Sequence, residues 1–238
     1  MTTKTAFDNA YFDALRAVDT PTIANAIEVV LGKRQGSGFT RRTVLAADPR
    51  QPPMVGYART AQLRAAEPTS ENPGAIAERR MAYYQYMAEA PKPSVVVIED
   101  LDYPDCVGAY WGEINTTVHK GFGLQGTLTN GVMRDLDALA PDYPVIAGSI
   151  GPSHAFVRVE AYDIPVTVFD LTVNPGDLIH ADRHGAVIIP DDAQAELPKA
   201  IETMMMRERI VLDAAKSPDF NFEHFKQAWA CFEAAREK

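Results

Sequence analysis

The side chains whose types and spacing could do chemistry lie in one stretch, from Gly112 to Asp135. It holds an acid at Glu113, twenty intervening residues, then an adjacent cation and anion at Arg134 and Asp135. Arginine offers a planar fork matched to a carboxylate. Aspartate offers a hard oxygen suited to Mg²⁺, which commonly takes one or two protein carboxylates and keeps several waters. Each also has an ordinary reading: a neighbouring Arg and Asp is usually a solvated pair, and a first-turn Glu satisfies the helix dipole. Position favours the chemical reading. Arg134-Asp135 follows an apolar strand and Asn130-Gly131, at a strand's C-terminal end, where α/β sheets place their ligands. Glu113 follows Trp111-Gly112 and opens a helix, whose free N–H groups at Ile114 and Asn115 would form a ready anion site. The stretch reads as the frame of a small anionic-substrate site that also holds a divalent metal.

Other motifs carry less. Gly121-Phe-Gly-Leu-Gln-Gly126 matches the dinucleotide fingerprint, but that fingerprint needs a strand before it and a helix after it. Here a helix precedes and a strand follows, so the glycines are read as letting two backbones pass closely. The five histidines (His119, His154, His180, His184, His224) show no HxH or HExxH spacing and are read as structural or exposed. His154, in Gly148-Ser-Ile-Gly-Pro-Ser-His, is the one singled out. Neither a Gly-x-Ser-x-Gly elbow nor a Walker loop occurs. Met204-Met-Met206 is read as core filling within a helix.

The elements that must position the site follow from periodicity and punctuation. Residues 9–18 and Ile23–Val30 predict two amphipathic helices, the second preceded by Asp19-Thr20-Pro21 and ended by Gly32. Residues 33–53 and 64–74 read as loops, Val55–Leu63 as a strand, and Ile76–Ala88 as a helix. Ser94–Ile98 is a continuous apolar run, the mark of a strand buried on both faces. Glu113–Lys120 predicts a helix stopped at Gly121, Gly126–Thr129 a strand, and Asp135–Leu139 a short helix. Val145–Ala147, Ala155–Glu160 and Val166–Leu171 extend the β content. Asp177–Pro190 predicts a hairpin turned by Asp182-Arg-His-Gly185. A long helix from Asp191 or Asp192 to Ala215 and a last one over Phe222–Arg236 complete the chain.

Composition bounds the rest. Hydrophobic content of 46% and charged content of 23% suit a globular protein with a sizeable core. A formal net charge of -9 without a Lys/Arg cluster argues against a nucleic-acid surface. Cys106 and Cys231 set no disulfide framework, which points to a reducing cytoplasm. The first residues lack the apolar run of a signal peptide, and no stretch of 18 apolar residues predicts a membrane span.

Taken together, Glu113, twenty residues, then Arg134-Asp135 resembles the acid-x20-Arg-Asp signature of the RraA-like family, whose enzymatic members are 4-hydroxy-4-methyl-2-oxoglutarate aldolases that also decarboxylate oxaloacetate. The likeness runs through Gly123-Leu-Gln-Gly-Thr-Leu-Thr-Asn-Gly-Val-Met-Arg-Asp135 and Val173-Asn-Pro-Gly-Asp-Leu-Ile-His-Ala-Asp-Arg-His-Gly-Ala-Val-Ile-Ile-Pro190. It covers roughly residues 15–195. The resemblance implies an αββα sandwich of the swivelling-domain type over residues 1–195, with residues 196–238 as a C-terminal helical extension. It implies a homotrimer or homohexamer with sites at subunit interfaces. By the same resemblance Asp135 ligates Mg²⁺ or Mn²⁺, and Arg134 binds a 2-keto acid and steadies its enolate oxygen. The amides after Gly112, at Ile114 and Asn115, hold the carboxylate, and Glu113 acts through metal-bound water. Two departures stand out. Aldolase members usually have Asp where this chain has Glu113, and Ser149–His154 differs from the Arg-Gly segment expected there. The leading reading is a metal-dependent lyase acting on a short 2-keto acid. The alternatives are a ribonuclease-binding regulator of the same family and a repurposed scaffold.

Overall fold

The computed structural model describes residues 7–235. Its elements, in chain order, are α1 (Asn9–Arg16), α2 (Thr20–Leu31), β1 (Leu45–Ala46), β2 (Met54–Arg64), α3 (Pro73–Ala88), β3 (Ser94–Asp100), β4 (Ala109–Trp111) and α4 (Glu113–Gly121). There follow β5 (Thr127–Thr129), β6 (Val132–Met133), β7 (Val145–Ala147), β8 (Ser149–Ile150), β9 (Arg158–Tyr162), β10 (Val166–Val168) and β11 (Leu171–Val173). The chain ends with β12 (Leu178–Asp182), β13 (Gly185–Ile189), α5 (Asp191–Gln194), α6 (Leu197–Ala215) and α7 (Phe222–Ala234).

Eight strands form one mixed sheet, ordered β1-β7-β5-β3-β2-β12-β13, with β9 also paired to β2. The centre is parallel: β2 with β3, β3 with β5, and β5 with β7. The long strand β2 serves two partners, pairing antiparallel with β12 at its start and with β9 at its end. A second sheet of three short parallel strands, β4-β6-β8, stands apart from it. The chain passes from one sheet to the other through Asn130-Gly131 and through Gly148.

Alternation along the central strands sorts the core into two sides, because successive side chains point to opposite faces. Val96 and Ile98 join Tyr83, Met87, Trp111 and Met133 under α3 and the small sheet. Val95 and Val97 instead join Val166, Val168, Phe169, Leu171 and Val173 of the β10–β11 hairpin. A further cluster sets Leu15, Ile23 and Ile27 against Leu178, Ile189 and the first turns of α6, where Leu197, Ala200, Ile201 and Met204 are buried. The resulting fold is mixed α/β, as the sequence implied, and α1, α2, α3 and α6 pack on one face of the sheet with the β10–β11 hairpin on the other.

Several expectations need correction. Val166–Leu171 is a hairpin and not one strand: Phe169 and Asp170 both take positive φ, 52° and 65°, the conformation that a two-residue reversal requires. The predicted long helix divides into α5 and α6, with Pro198 in the first turn of the second. Only Met204 of the methionine run is buried, while Met205 and Met206 face outward. The Asp135 helix reduces to a 3-10 turn at Leu136–Ala138. The small sheet β4-β6-β8 was not anticipated at all.

Candidate functional site

The three short strands end side by side. Trp111 of β4 lies beside Met133 of β6, and Met133 beside Ile150 of β8. Beyond these ends stand Glu113 on α4 and the pair Arg134-Asp135. The Arg134 amide donates to the Trp111 carbonyl at 2.8 Å, which closes the pairing just where the two loops part. Buried Trp111 anchors the strand, its ring centroid 4.8 Å from that of His119 on α4.

Gly112 makes the close approach possible. A Cβ added there would lie 2.4 Å from Asp135 Oδ2 and 3.1 Å from Arg134 Cγ, so glycine lets the start of α4 approach the pair without displacing the carboxylate. With no side chain, Gly112 offers α4 no cap. The Asp135 carboxylate supplies one contact instead, accepting the Glu113 amide at 3.3 Å. The first amide bonded within the helix is that of Thr116, to the Gly112 carbonyl at 3.0 Å. The amides of Ile114 and Asn115 precede it and have no acceptor in the helix. The helix dipole adds partial positive charge at the same end.

Arg134 Nε lies 3.4 Å from Asp135 Oδ2, with the side chains 32% and 40% exposed. An ion pair that open contributes less than about 1 kcal/mol. Asp135 also sits in the left-handed region at φ 54°, which costs of order 1 kcal/mol in a residue other than glycine. Stability therefore does not account for the pair, and strain of this kind concentrates at ligand sites.

The structure thus brings Gly112, Glu113, Ile114, Asn115, Arg134 and Asp135 together. Asn115 contributes only backbone to this surface, because its side chain turns inward to Tyr84 and to the Tyr110 carbonyl. His154 is not brought in: it lies on an exposed loop, with Nδ1 2.8 Å from the Ala155 carbonyl oxygen. Three of the other four histidines are accounted for as well, and His224 lies in α7, away from the site's elements. His119 and His180 are buried and hydrogen bonded, and His184 contacts Asp182. Gly126, at φ 150°, sits where a Cβ would meet the Pro144 carbonyl oxygen at 2.8 Å, so here two backbones do pass closely. Gly121 has open space and no such duty.

Sequence reasoning missed Tyr84, Tyr83 and His119 as supports of α4. An aromatic run at 83–84 is also what an ordinary helix core shows, so no local signal marked them. Among the described residues, no group of three or more His, Cys, Asp and Glu side chains comes together as a metal cage. The donor set at this site is one outward carboxylate with an acid nearby, which suits an oxygen-loving ion that keeps most of its water. Among the described residues, too, no helix is long and apolar enough to cross a membrane.

Known proteins resemble this chain in sequence and in fold. A Legionella pneumophila protein, DlpA, is 32% identical over 131 residues, covering 52% of this chain and 21% of its own length. A Halalkalibacterium halodurans protein provisionally named 4-hydroxy-4-methyl-2-oxoglutarate aldolase is 27% identical, over 58% of this chain and 60% of its own. The chain thus spans less than two thirds of either relative. Among solved structures, an uncharacterised Pseudomonas syringae protein superposes with a TM-score of 0.71 at 24% identity, covering 97% of each chain. Streptomyces coelicolor RraAS2, described as an unusual member of the RNase ES inhibitor RraA family, gives 0.65 at 22% identity, over 90% of this chain and 99% of its own. Both share the fold. Residues 13–188 match the Aldolase/RraA family profile, and the chain belongs to that RraA-like family.

Proposed function

We propose that the protein is a divalent-metal-dependent carbon–carbon lyase acting on a short 2-keto acid, by retro-aldol cleavage of a 4-hydroxy-2-oxo acid, by oxaloacetate decarboxylation, or by both. The observation that carries this reading is the pair of amides at Ile114 and Asn115 left without helical acceptors at the start of α4, where the preceding Glu113 amide already meets Asp135 Oδ2. With Arg134 and Asp135 they provide two N–H donors and a guanidinium for an anion, beside a free hard oxygen. Family membership supports the class, since a related protein carries an aldolase name.

In this reading the substrate carboxylate takes the Ile114 and Asn115 amides, where the helix dipole favours negative charge. Asp135 would hold a Mg²⁺ or Mn²⁺ ion, which would supply Lewis-acid polarisation of the keto group. Arg134 points its fork at the keto oxygen. Cleavage of the bond two carbons from the carboxylate leaves an enolate, and Arg134 stabilises the charge as it develops on oxygen. Both reactions pass through that pyruvate enolate, so one site serves both. Glu113, exposed at the first position of α4, takes the 4-hydroxyl proton through water as that carbon leaves as a keto acid, and a proton is returned to the enolate carbon to give pyruvate. In decarboxylation the leaving fragment is CO₂ and only the second proton transfer is needed. The extra methylene of Glu113 over the Asp usual in aldolases lengthens its reach.

The test is pyruvate release from oxaloacetate and from 4-hydroxy-4-methyl-2-oxoglutarate, with Mg²⁺ or Mn²⁺ and then with EDTA. Pyruvate that appears with metal and disappears with chelator is expected from at least one substrate. No pyruvate from either, in a folded protein, rejects the reading in favour of a non-catalytic family role.

A further inference from the structure

We infer that Tyr84 and the Asn115 side chain form a clamp that replaces the missing N-cap of α4, making Tyr84 a positioning residue for the carboxylate-binding amides; this rests on the keto-acid reading above. The need for a clamp begins at Gly112. A Cβ at 112 would press on Asp135 Oδ2, and glycine brings no side-chain cap. Loss of a side-chain cap ordinarily weakens a helix start. At nine residues α4 is also too short to hold its own first turn. Yet this first turn is the part that must present two amides in fixed geometry.

Asn115 takes over the task from inside the helix. Its Oδ1 accepts from Tyr84 Oη at 2.7 Å, and its Nδ2 donates to the Tyr110 carbonyl of β4 at 2.6 Å. Its backbone carbonyl accepts from His119 Nδ1 at 2.6 Å. With Nδ1 donating, His119 Nε2 must accept, so Tyr83 Oη is the donor in their 2.7 Å contact. One residue is thereby tied to α3, to β4 and, through His119, to the next turn of its own helix. Thr116 adds a fourth tie: its Oγ1 bonds to the Gly112 carbonyl and accepts the Ala140 amide at 3.0 Å. Tyr84 touches none of the site's groups and acts only through Asn115.

The experiment compares Y84F, N115A and the double variant with the full-length wild type, using Y57F as a control remote from α4. Hydrogen exchange is read at Thr116, Thr117 and Val118, whose helical acceptors are the carbonyls of the first turn. Y84F is expected to speed exchange there several-fold, with the α6 amides unchanged. In pyruvate release, Y84F should raise KM roughly two- to tenfold, the range set by one neutral hydrogen bond, with kcat within about twofold. Because both residues belong to one clamp, the double variant should be no worse than N115A. Unchanged exchange at 116–118, a loss confined to kcat, or additive losses would each overturn the clamp. A merely structural role would instead speed exchange throughout the molecule. If the wild type makes no pyruvate, the keto-acid reading fails separately, and exchange in Y84F alone decides the clamp.

Discussion

At the scale of single residues, the site is built by trading stability for geometry. Asp135 accepts left-handed backbone and a weak neighbouring ion pair, and Gly112 gives up a cap so that the carboxylate can stand against α4. Two substitutions follow. Asn tolerates the left-handed region as well as Asp does, so D135N should keep its unfolding free energy within about 0.5 kcal/mol of wild type. The same variant should lose metal-dependent pyruvate formation. Urea melts and steady-state rates read the two quantities, and full turnover in D135N would reject Asp135 as the metal ligand. Gly112→Ala puts a methyl 2.4 Å from Asp135 Oδ2. The carboxylate can swing aside, so the stability cost should stay below about 1 kcal/mol, while the displaced Asp135 lowers the rate on the order of 100-fold. Wild-type turnover in G112A would show that the close approach is dispensable. Glu113, Arg134 and Asp135 were legible because their side-chain types and spacing are written in the sequence. The positive φ of Asp135 was not, since it comes from the surrounding loop.

At the scale of elements, legibility tracked length. β3 and the β12–β13 hairpin run five residues or more, enough for an apolar run or a turn signal to show. β6 and β8 hold two residues each, and a period of two cannot be seen in two residues. Their pairing is parallel and distant in sequence, so no hairpin turn announced it. Beneath them, α4 rests on His119, whose imidazole is pushed by burial down to about 4, against the pull of its bond to the Asn115 carbonyl. The unfolded chain takes up that proton near pH 6.5, whereas the native protein resists until about pH 4. Stability should therefore fall as pH drops through that window, by about 3 kcal/mol in full. His180, also held down by burial, adds in the same direction. Buried Asp100 opposes both: burial raises its carboxyl, so its contribution is lost as pH rises. H119Q removes one of these groups. Between pH 7 and pH 4.5 it should lose about 2 kcal/mol less than wild type in urea unfolding. Parallel losses in the two proteins would show that His119 is not held neutral.

At the scale of the whole molecule, the site is open. Two surface clefts lie elsewhere, one lined by Val29, Ala200 and Arg207 and one by Arg16, Arg50 and Arg183. Around the site, large apolar side chains face outward: Ile114 is 72% exposed, Leu136 40% and Ile150 55%. They stand at the ends of the three short strands or within three residues of them, flanking Arg134 and Asp135. A polar centre bordered by outward apolar side chains is how a site looks when part of its wall comes from elsewhere, because water would weaken the electrostatics on which the chemistry depends. We propose that a second copy of the chain supplies that wall, in the homotrimer or homohexamer that family resemblance implies. Sedimentation should then give three or six times the 26.1 kDa chain mass. Ile150→Asp buries a charge in that contact while leaving Glu113, Arg134 and Asp135 untouched. It should shift the protein toward monomer and lower pyruvate formation in step with dissociation, with activity partly recovered at high protein concentration. A monomeric wild type with metal-dependent turnover would mean that the exposed apolar groups close over nothing, and that one chain does the chemistry alone.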